Sequence, residues 1–427
     1  MTLGILYHMP FWQTADGALW EAEGSFARYV DSIAPYFDRV ILAVPVFDTP
    51  PASGSRVRAT NVTLAPLPYF PGPRQFYPKL LSMRPRLREW VNQCDVIHLR
   101  VPSPAAIFAF RLAEAKRKPI FLLVVGDYEA LLPHLGYRGI KKLLFSRYVA
   151  FEEWALRYMT RRALTFANGA SLRAKHERDG ATIHETKTTT LSLSDFSTRT
   201  DTCNGSRIRL LCVSRIDPRK GLRSLPAVIR DLAAAGHDVT LDIVGPTIGL
   251  IGESEREAID SAAHGSGVAD RVHLHGAVAL DQLLPLYREF DLFVLPTRPG
   301  EGIPRVLMEA MAAGLPIVTT DVAGISSLIS NGENGVLVPE GSTQGMVDAV
   351  RSLITTPSLR QRLIQNGYAT ARAHTLERQA ASLMQVVAAE CGVPIHRPDA
   401  VSTEQVFDTT NGSFLRNDPS GFVEPRG

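Results

Sequence analysis

Short apolar runs recur along the chain between longer segments whose apolar positions fall at helical spacing. That alternation predicts βαβ units, because a parallel strand covered on both faces reads as a near-continuous hydrophobic stretch. The strands predicted are Leu3–Tyr7, Val40–Val44, Val96–Leu99, Ile120–Val125, Leu164–Ala167, Ile208–Val213, Thr240–Val244, Val272–His275, Leu292–Leu295, Ile317–Thr319 and Gly335–Val338. The first five, with helices such as Glu23–Tyr36 and Pro104–Ala115 between them, make one doubly wound α/β domain, expected over residues 1–195. The rest make a second over residues 206–372. Between them the polar, Ser/Thr-rich stretch Lys187–Ser206 lacks a helical period and reads as a linker. Helical spacing resumes near the end, so residues 373–391 are expected to form a C-terminal helix placed to cross back to the first domain. Residues 394–427 mix Pro, Asp, Asn, Ser, Thr and Gly and read as a loosely ordered tail.

Composition narrows the function classes. In 427 residues, 46 Lys and Arg against 43 Asp and Glu leave a net charge of +3, too small for a protein built to grip nucleic acid. Cys94, Cys203, Cys212 and Cys391 show no CxxC or Cys/His spacing, which argues against a disulfide framework or a zinc site and fits a reducing cytoplasm. The first residues, MTLGILYHMPFW, lack a basic leader region, and no apolar run is long enough to span a bilayer. The average charge hides local excess: Arg74 to Lys118 holds ten basic against three acidic residues. Further on, Lys141, Lys142 and Arg147 interleave with Leu143, Leu144, Phe145, Tyr148 and Trp154. This basic amphipathic pattern suits the surface of an anionic membrane, at the inner face if the protein is cytoplasmic; it equally describes a domain helix with a solvated face.

Candidate chemistry concentrates in Asp291–Ile317, where a buried strand runs into a Pro/Gly loop and a helix begins near Pro304. Glu301 in the loop and Glu309 down the helix stand roughly 10 Å apart at 1.5 Å per residue. Between them the amides of Gly302, Ile303, Arg305 and Val306 gather at a helix N-terminus, where backbone dipoles favour a phosphate. Two carboxylates so placed could accept hydrogen bonds from hydroxyls at both ends of a nucleotide sugar. Upstream, Arg215 and Lys220 follow a strand at the carboxyl edge where open α/β sheets bind ligands, and two cations there could hold a diphosphate.

The run Val213–Gly221, then DIVG at Asp242–Gly245, HLHG at His273–Gly276, DLFVLPT, and Glu301-x7-Glu309 with EAMAAGLPIV resembles the C-terminal half of the family 4 retaining glycosyltransferases. The resemblance covers about residues 208–340 and implies the GT-B fold, two Rossmann-like domains facing across a cleft. It implies that Glu309 binds the ribose hydroxyls of a nucleoside-diphosphate sugar, that Arg215 and Lys220 hold the diphosphate, and that Glu301 with Gly302 and Ile303 contacts the transferred sugar. Arg305 and Val306 would offer amides to the phosphates just after Pro304, and Gly24 would let the first domain's backbone approach the diphosphate.

There are departures from the family pattern. Val125 and Gly126 stand where many relatives carry a histidine, leaving Asp127 as the nearest polar candidate, though it also reads as a turn or cap residue. Ser326 replaces a usual glutamate, and Ile303-Pro304 a frequent Phe-Gly. No Asp-x-Asp pair of the kind that holds a divalent ion is evident, so neither metal nor cofactor is expected. The implied activity is sugar transfer to a glycan or lipid-linked acceptor in cell-surface polysaccharide synthesis. A nucleotide-sugar 2-epimerase on the same fold, or a non-catalytic module that binds nucleotide sugars or glycans, are the alternatives.

Overall fold

The computed structural model describes residues 1–21, 25–47, 54–70, 73–131, 139–178, 180–298, 303–322 and 324–396. The polar tail expected over 394–427 lies, beyond residue 396, outside the described residues.

The first domain is built on β1 (Thr2–Leu6), β2 (Phe11–Gln13), β3 (Leu19–Glu21), β4 (Arg39–Val46), β5 (Ser55–Arg56), β6 (Val62–Pro68), β7 (Val96–Val101), β8 (Ile120–Val124), β9 (Leu164–Asn168) and β10 (Ile183–Thr186). Its sheet runs β10-β9-β8-β7-β1-β4-β2-β3-β5, with β6 paired to β4. The central strands are parallel, whereas β2, β3 and β5 form antiparallel pairs at one end. Sequence pattern missed β6 because Pro66 and Pro68 interrupt it; the strand is tolerated because it pairs only with β4, so the missing N–H groups need no partner on the other side. Its neighbour β4 is completely buried over Leu42, Ala43 and Val44.

The second domain holds β11 (Ile208–Val213), β12 (Val239–Val244), β13 (Val272–Gly276), β14 (Leu292–Leu295), β15 (Ile317–Thr320) and β16 (Val336–Val338). They form one parallel sheet in the order β13-β12-β11-β14-β15-β16. The order reverses direction at β11 and β14, the point where doubly wound sheets open a crevice at their carboxyl edge. Two Rossmann-like α/β domains were expected, and two are present.

The expected linker is an ordered connection. Leu191 is fully buried in the second domain's core, and a short 3-10 turn, Leu193–Asp195, follows it. The stretch also meets the last helix, Leu376–Cys391: the Leu376 amide donates to the Leu191 carbonyl at 2.8 Å, and the Glu377 carboxylate takes the Leu193 amide at 3.2 Å. Polar composition hid this order because the hydrogen bonds are supplied by hydroxyls and caps rather than by a periodic apolar face.

That last helix leaves the second domain and covers the first sheet. Ala380, Leu383, Met384 and Val387 are buried with Leu3, Ile5 and Phe121 in the first domain's core. Burial of Leu383, Met384 and Val387 stabilises the covered face by about 1.5–3 kcal/mol each. No helix among the described residues is long and apolar enough to cross a membrane.

Candidate active site

Two neighbouring loops at the carboxyl edge of the second sheet carry most of the candidate residues. Beyond β11, the Ser214 amide donates to Val244 at 2.9 Å and Arg215 emerges exposed. A 3-10 turn, Pro218–Lys220, follows, with the Asp217 side chain accepting from the Arg219 amide at 2.9 Å. The Arg219 guanidinium folds back onto the same carboxylate, Nη2 to Oδ2 at 2.6 Å, and this hydrogen bonding holds Asp217 down to about 2. Arg219 thereby has its charge matched locally. Arg215 makes no ion pair among the described residues, and Lys220 is 9% exposed beside the sheet end.

The loops can converge here because two positions are glycine. Gly245, at φ +153°, brings β12's end so close to β11 that a Cβ would lie 1.9 Å from the Ser214 carbonyl oxygen. Gly221, at φ +67°, would place one 2.2 Å from the Pro296 carbonyl oxygen. The second contact draws the loop after β14 against the Lys220 turn, and the Arg298 amide locks it by donating to the Arg219 carbonyl at 2.9 Å.

Residues 299–302 are outside the described residues, so Glu301 and Gly302 are too, as is Gly24 of the first domain. After them Ile303 and Pro304 are partly buried, and Pro304 is the extended cap of the helix Arg305–Ala312, which no side chain caps. The first amides of an α-helix have no intrahelical acceptor, so those of Arg305 and Val306 head a helix end open to an anion. Arg305 is exposed and Val306 partly buried.

Glu309 lies one turn further in, 5% exposed, and each of its oxygens already accepts a hydrogen bond. Thr190 Oγ1 donates to Oε1 at 3.0 Å and the Tyr287 hydroxyl donates to Oε2 at 2.9 Å. Burial, with the Glu309 charge adding to it, pushes the Tyr287 hydroxyl well above its usual range, so it stays a donor. A carboxylate offers about four acceptor sites, which leaves Glu309 capacity for ligand hydroxyls. Sequence reasoning missed Thr190 and Tyr287. Neither belongs to a motif, and Thr190 comes from the connection between the domains. It missed Arg28 as well: from the helix Ser25–Ile33 its Nη1 donates to the Thr190 carbonyl at 2.8 Å and to Asp195 at 2.5 Å. A relay of first-domain helix, connection and second-domain helix therefore ends on Glu309.

Asp127 lies in the first domain, after β8. Its Oδ1 accepts from the Glu129 amide at 2.9 Å, the turn geometry weighed from sequence, and from Lys175 Nζ at 2.8 Å. Lys175 also reaches Glu129 at 3.2 Å and Glu153 at 3.1 Å. The three carboxylates, close enough together to hold a cation, thus surround an ammonium group.

Residues 207–356 match the family model described as Glycosyl transferases group 1. The second domain is thus similar to a group 1 glycosyl transferase domain. Among curated relatives it is 31% identical over 156 residues to the GDP-mannose-dependent alpha-(1-6)-phosphatidylinositol monomannoside mannosyltransferase of Mycobacterium tuberculosis, a match covering 35% of this chain and 39% of that protein. It is 25% identical over 323 residues to the phosphatidyl-myo-inositol mannosyltransferase of Mycobacterium leprae, covering 73% of this chain and 78% of the relative. In three dimensions it resembles Anabaena Alr3699/HepE in complex with UDP, with a TM-score of 0.65 at 15% identity, covering 91% of this chain and all (100%) of that one. The shared fold is GT-B, and the transferase match falls on the domain that bears Arg215, Lys220, Arg305 and Glu309.

Proposed function

We propose that the protein is a cytoplasmic retaining glycosyltransferase that moves a sugar from a nucleoside-diphosphate sugar to a glycan or lipid-linked acceptor in cell-surface polysaccharide synthesis. The observation that carries the reading is the convergence, at the carboxyl edge of the matched domain, of two cations, an uncapped helix N-terminus and a buried carboxylate. In this reading Glu309 takes the ribose hydroxyls, held in place by Thr190 and Tyr287. Arg215, Lys220 and the Arg305 and Val306 amides hold the diphosphate, with Gly24 approaching from the first domain. Glu301, Gly302 and Ile303 contact the sugar beside Pro304.

Chemistry follows from what a diphosphate leaving group needs. As the bond between the anomeric carbon and the phosphate oxygen breaks, negative charge grows on the diphosphate, and preorganised cations and amides stabilise it without a metal ion. The acceptor hydroxyl attacks on the face the diphosphate leaves, the new glycosidic bond forms there, and the hydroxyl proton passes to a phosphate oxygen. No protein base is required, which accords with Asp127 being engaged by Lys175.

A lipid-linked acceptor accords with the helix Gly139–Thr160, where Ile140, Leu143, Leu144 and Trp154 are 73, 56, 65 and 57% exposed alongside exposed Lys141, Lys142 and Arg147. Anionic vesicles should sediment the protein at low salt and release it as salt rises. Absence of binding at low salt, or binding indifferent to Lys141→Glu with Lys142→Glu, removes the membrane from this reading.

The deciding experiment is a panel of nucleoside-diphosphate sugars, scored for thermal stabilisation and for acceptor-dependent release of nucleotide, with the product anomer read by NMR. Isomerisation of the donor without an acceptor would make the protein an epimerase, and stabilisation without turnover a binding module.

A further inference from the structure

Arg100 is the penultimate residue of β7, at the carboxyl edge of the first sheet, and is 8% exposed. Its guanidinium carbon stands 4.7, 5.1 and 4.5 Å from the ring centroids of Tyr7, Phe26 and Tyr29. Aromatic faces compensate a buried cation only in part: a contact of this kind is worth about 0.5–2 kcal/mol, against several kcal/mol for desolvating an ion. The Glu21 carboxylate adds an attraction through space but no hydrogen bond. Nε and Nη1 have no hydrogen-bond partner, and no carboxylate pairs with the guanidinium, among the described residues. Glu21, on the same side, directs one oxygen to the Phe26 and Ala27 amides at 3.3 Å each. Burial lowers the affinity of Arg100 for its proton; Tyr7, Tyr29 and the Glu21 carboxylate oppose that shift, and the charge of Arg305, from the second domain, adds to it. An apolar side chain of similar length would fill the aromatic slot at lower cost, so stability alone does not place a guanidinium here.

We propose that Arg100, at the carboxyl edge of the first sheet, with Arg305 at the head of a second-domain helix, forms an anion subsite of the cleft that takes a phosphate or carboxylate group of a substrate. An oxyanion at Nη2, the guanidinium nitrogen that is not sealed off, would supply a charge-assisted hydrogen bond and offset two cations that otherwise repel. The subsite rests on the reading of the cleft as a donor site, and its anion comes from one of two sources: the donor's diphosphate or an acidic acceptor.

The test uses the full chain, wild type against R100M, R100K and R305A, in phosphate-free buffer. R100M should melt no lower than wild type without ligand, since it removes a charge that is only partly compensated. The apparent affinity for inorganic phosphate, read from thermal shifts, should fall at least about ten-fold, less so in R100K. R305A, at an exposed position, should weaken phosphate on an intact fold. Calorimetry with UDP and GDP separates the sources: a ten-fold loss of nucleotide affinity in R100M assigns the anion to the donor. Unchanged nucleotide affinity, with phosphate still bound by the nucleotide-saturated wild type and lost in R100M, assigns it to the acceptor. R100M that melts lower than wild type and binds phosphate and nucleotide as wild type does would overturn the proposal and make Arg100 a structural cation. Failure of the wild type to bind any nucleotide overturns the donor-site reading instead, while the phosphate series still judges Arg100.

Discussion

Thr190 Oγ1 donates a 3.0 Å hydrogen bond to Glu309 Oε1 across 119 residues of chain. The donor sits on the connection between the domains and the acceptor on the helix proposed to bind nucleotide, so the position of one domain is written into the carboxylate of the other. Thr190→Val keeps the side chain's shape and removes the donor. Nucleotide affinity should drop about five- to ten-fold, the equivalent of a single hydrogen bond of about 1 kcal/mol, in isothermal titration.

Glu309→Ala removes the acceptor of two buried hydroxyls at once. Thr190 and Tyr287 are then left unsatisfied, and chemical denaturation should show a loss of about 2–4 kcal/mol together with the loss of nucleotide binding. Glu309→Gln, whose oxygen accepts from one hydroxyl while its NH2 donates to the other, should recover part of the stability and little of the binding.

The basic loop after β11 separates charge that is available from charge that is matched. Arg215→Ala, at an exposed position, should leave stability within about 0.5 kcal/mol and cut turnover by about 100-fold or more. Arg219→Ala should have a much smaller effect on turnover, because its guanidinium is already folded onto Asp217. Steady-state kinetics on the donor that the panel selects reads the contrast.

Gly245→Ala is expected to be among the most damaging small substitutions. The new Cβ would meet the Ser214 carbonyl at 1.9 Å in a backbone conformation that alanine rarely adopts. A loss above about 2 kcal/mol should appear in thermal melts, with weakened nucleotide binding even in the folded fraction.

Glu152, 7% exposed in the helix Gly139–Thr160, has its carboxyl pushed by burial from 4.5 to about 7. Between those values the folded state holds a proton that the unfolded chain releases, so this group makes stability fall as pH rises from 4.5 to 7 and level off above. Glu152→Gln removes the titration: it should match wild type near pH 4.5 and exceed it at pH 8 by about 1–3 kcal/mol in urea unfolding.

Much of the fold was legible because its parallel strands are buried on both faces and announce themselves as apolar runs; Ile208–Val213 and Leu292–Leu295 coincide with the observed strands. Strands with one exposed face or an interrupting proline, such as β6, leave no such trace. The candidate site was legible where residues share a loop, as Arg215 with Lys220 and Arg305 with Glu309. It was not legible where the third dimension supplies the partner: Thr190, Tyr287 and Arg100 each carry an ordinary local context, and only burial against groups from distant elements gives them a role.

The helix Leu376–Cys391 covers the first sheet although it is made after the second. During synthesis the first domain therefore waits with part of the core around Leu3 and Ile5 open until the second has emerged, and the two halves mature together rather than in chain order. A protease that cuts the connection near Thr190 would yield not two finished domains but one domain missing a wall and another carrying it.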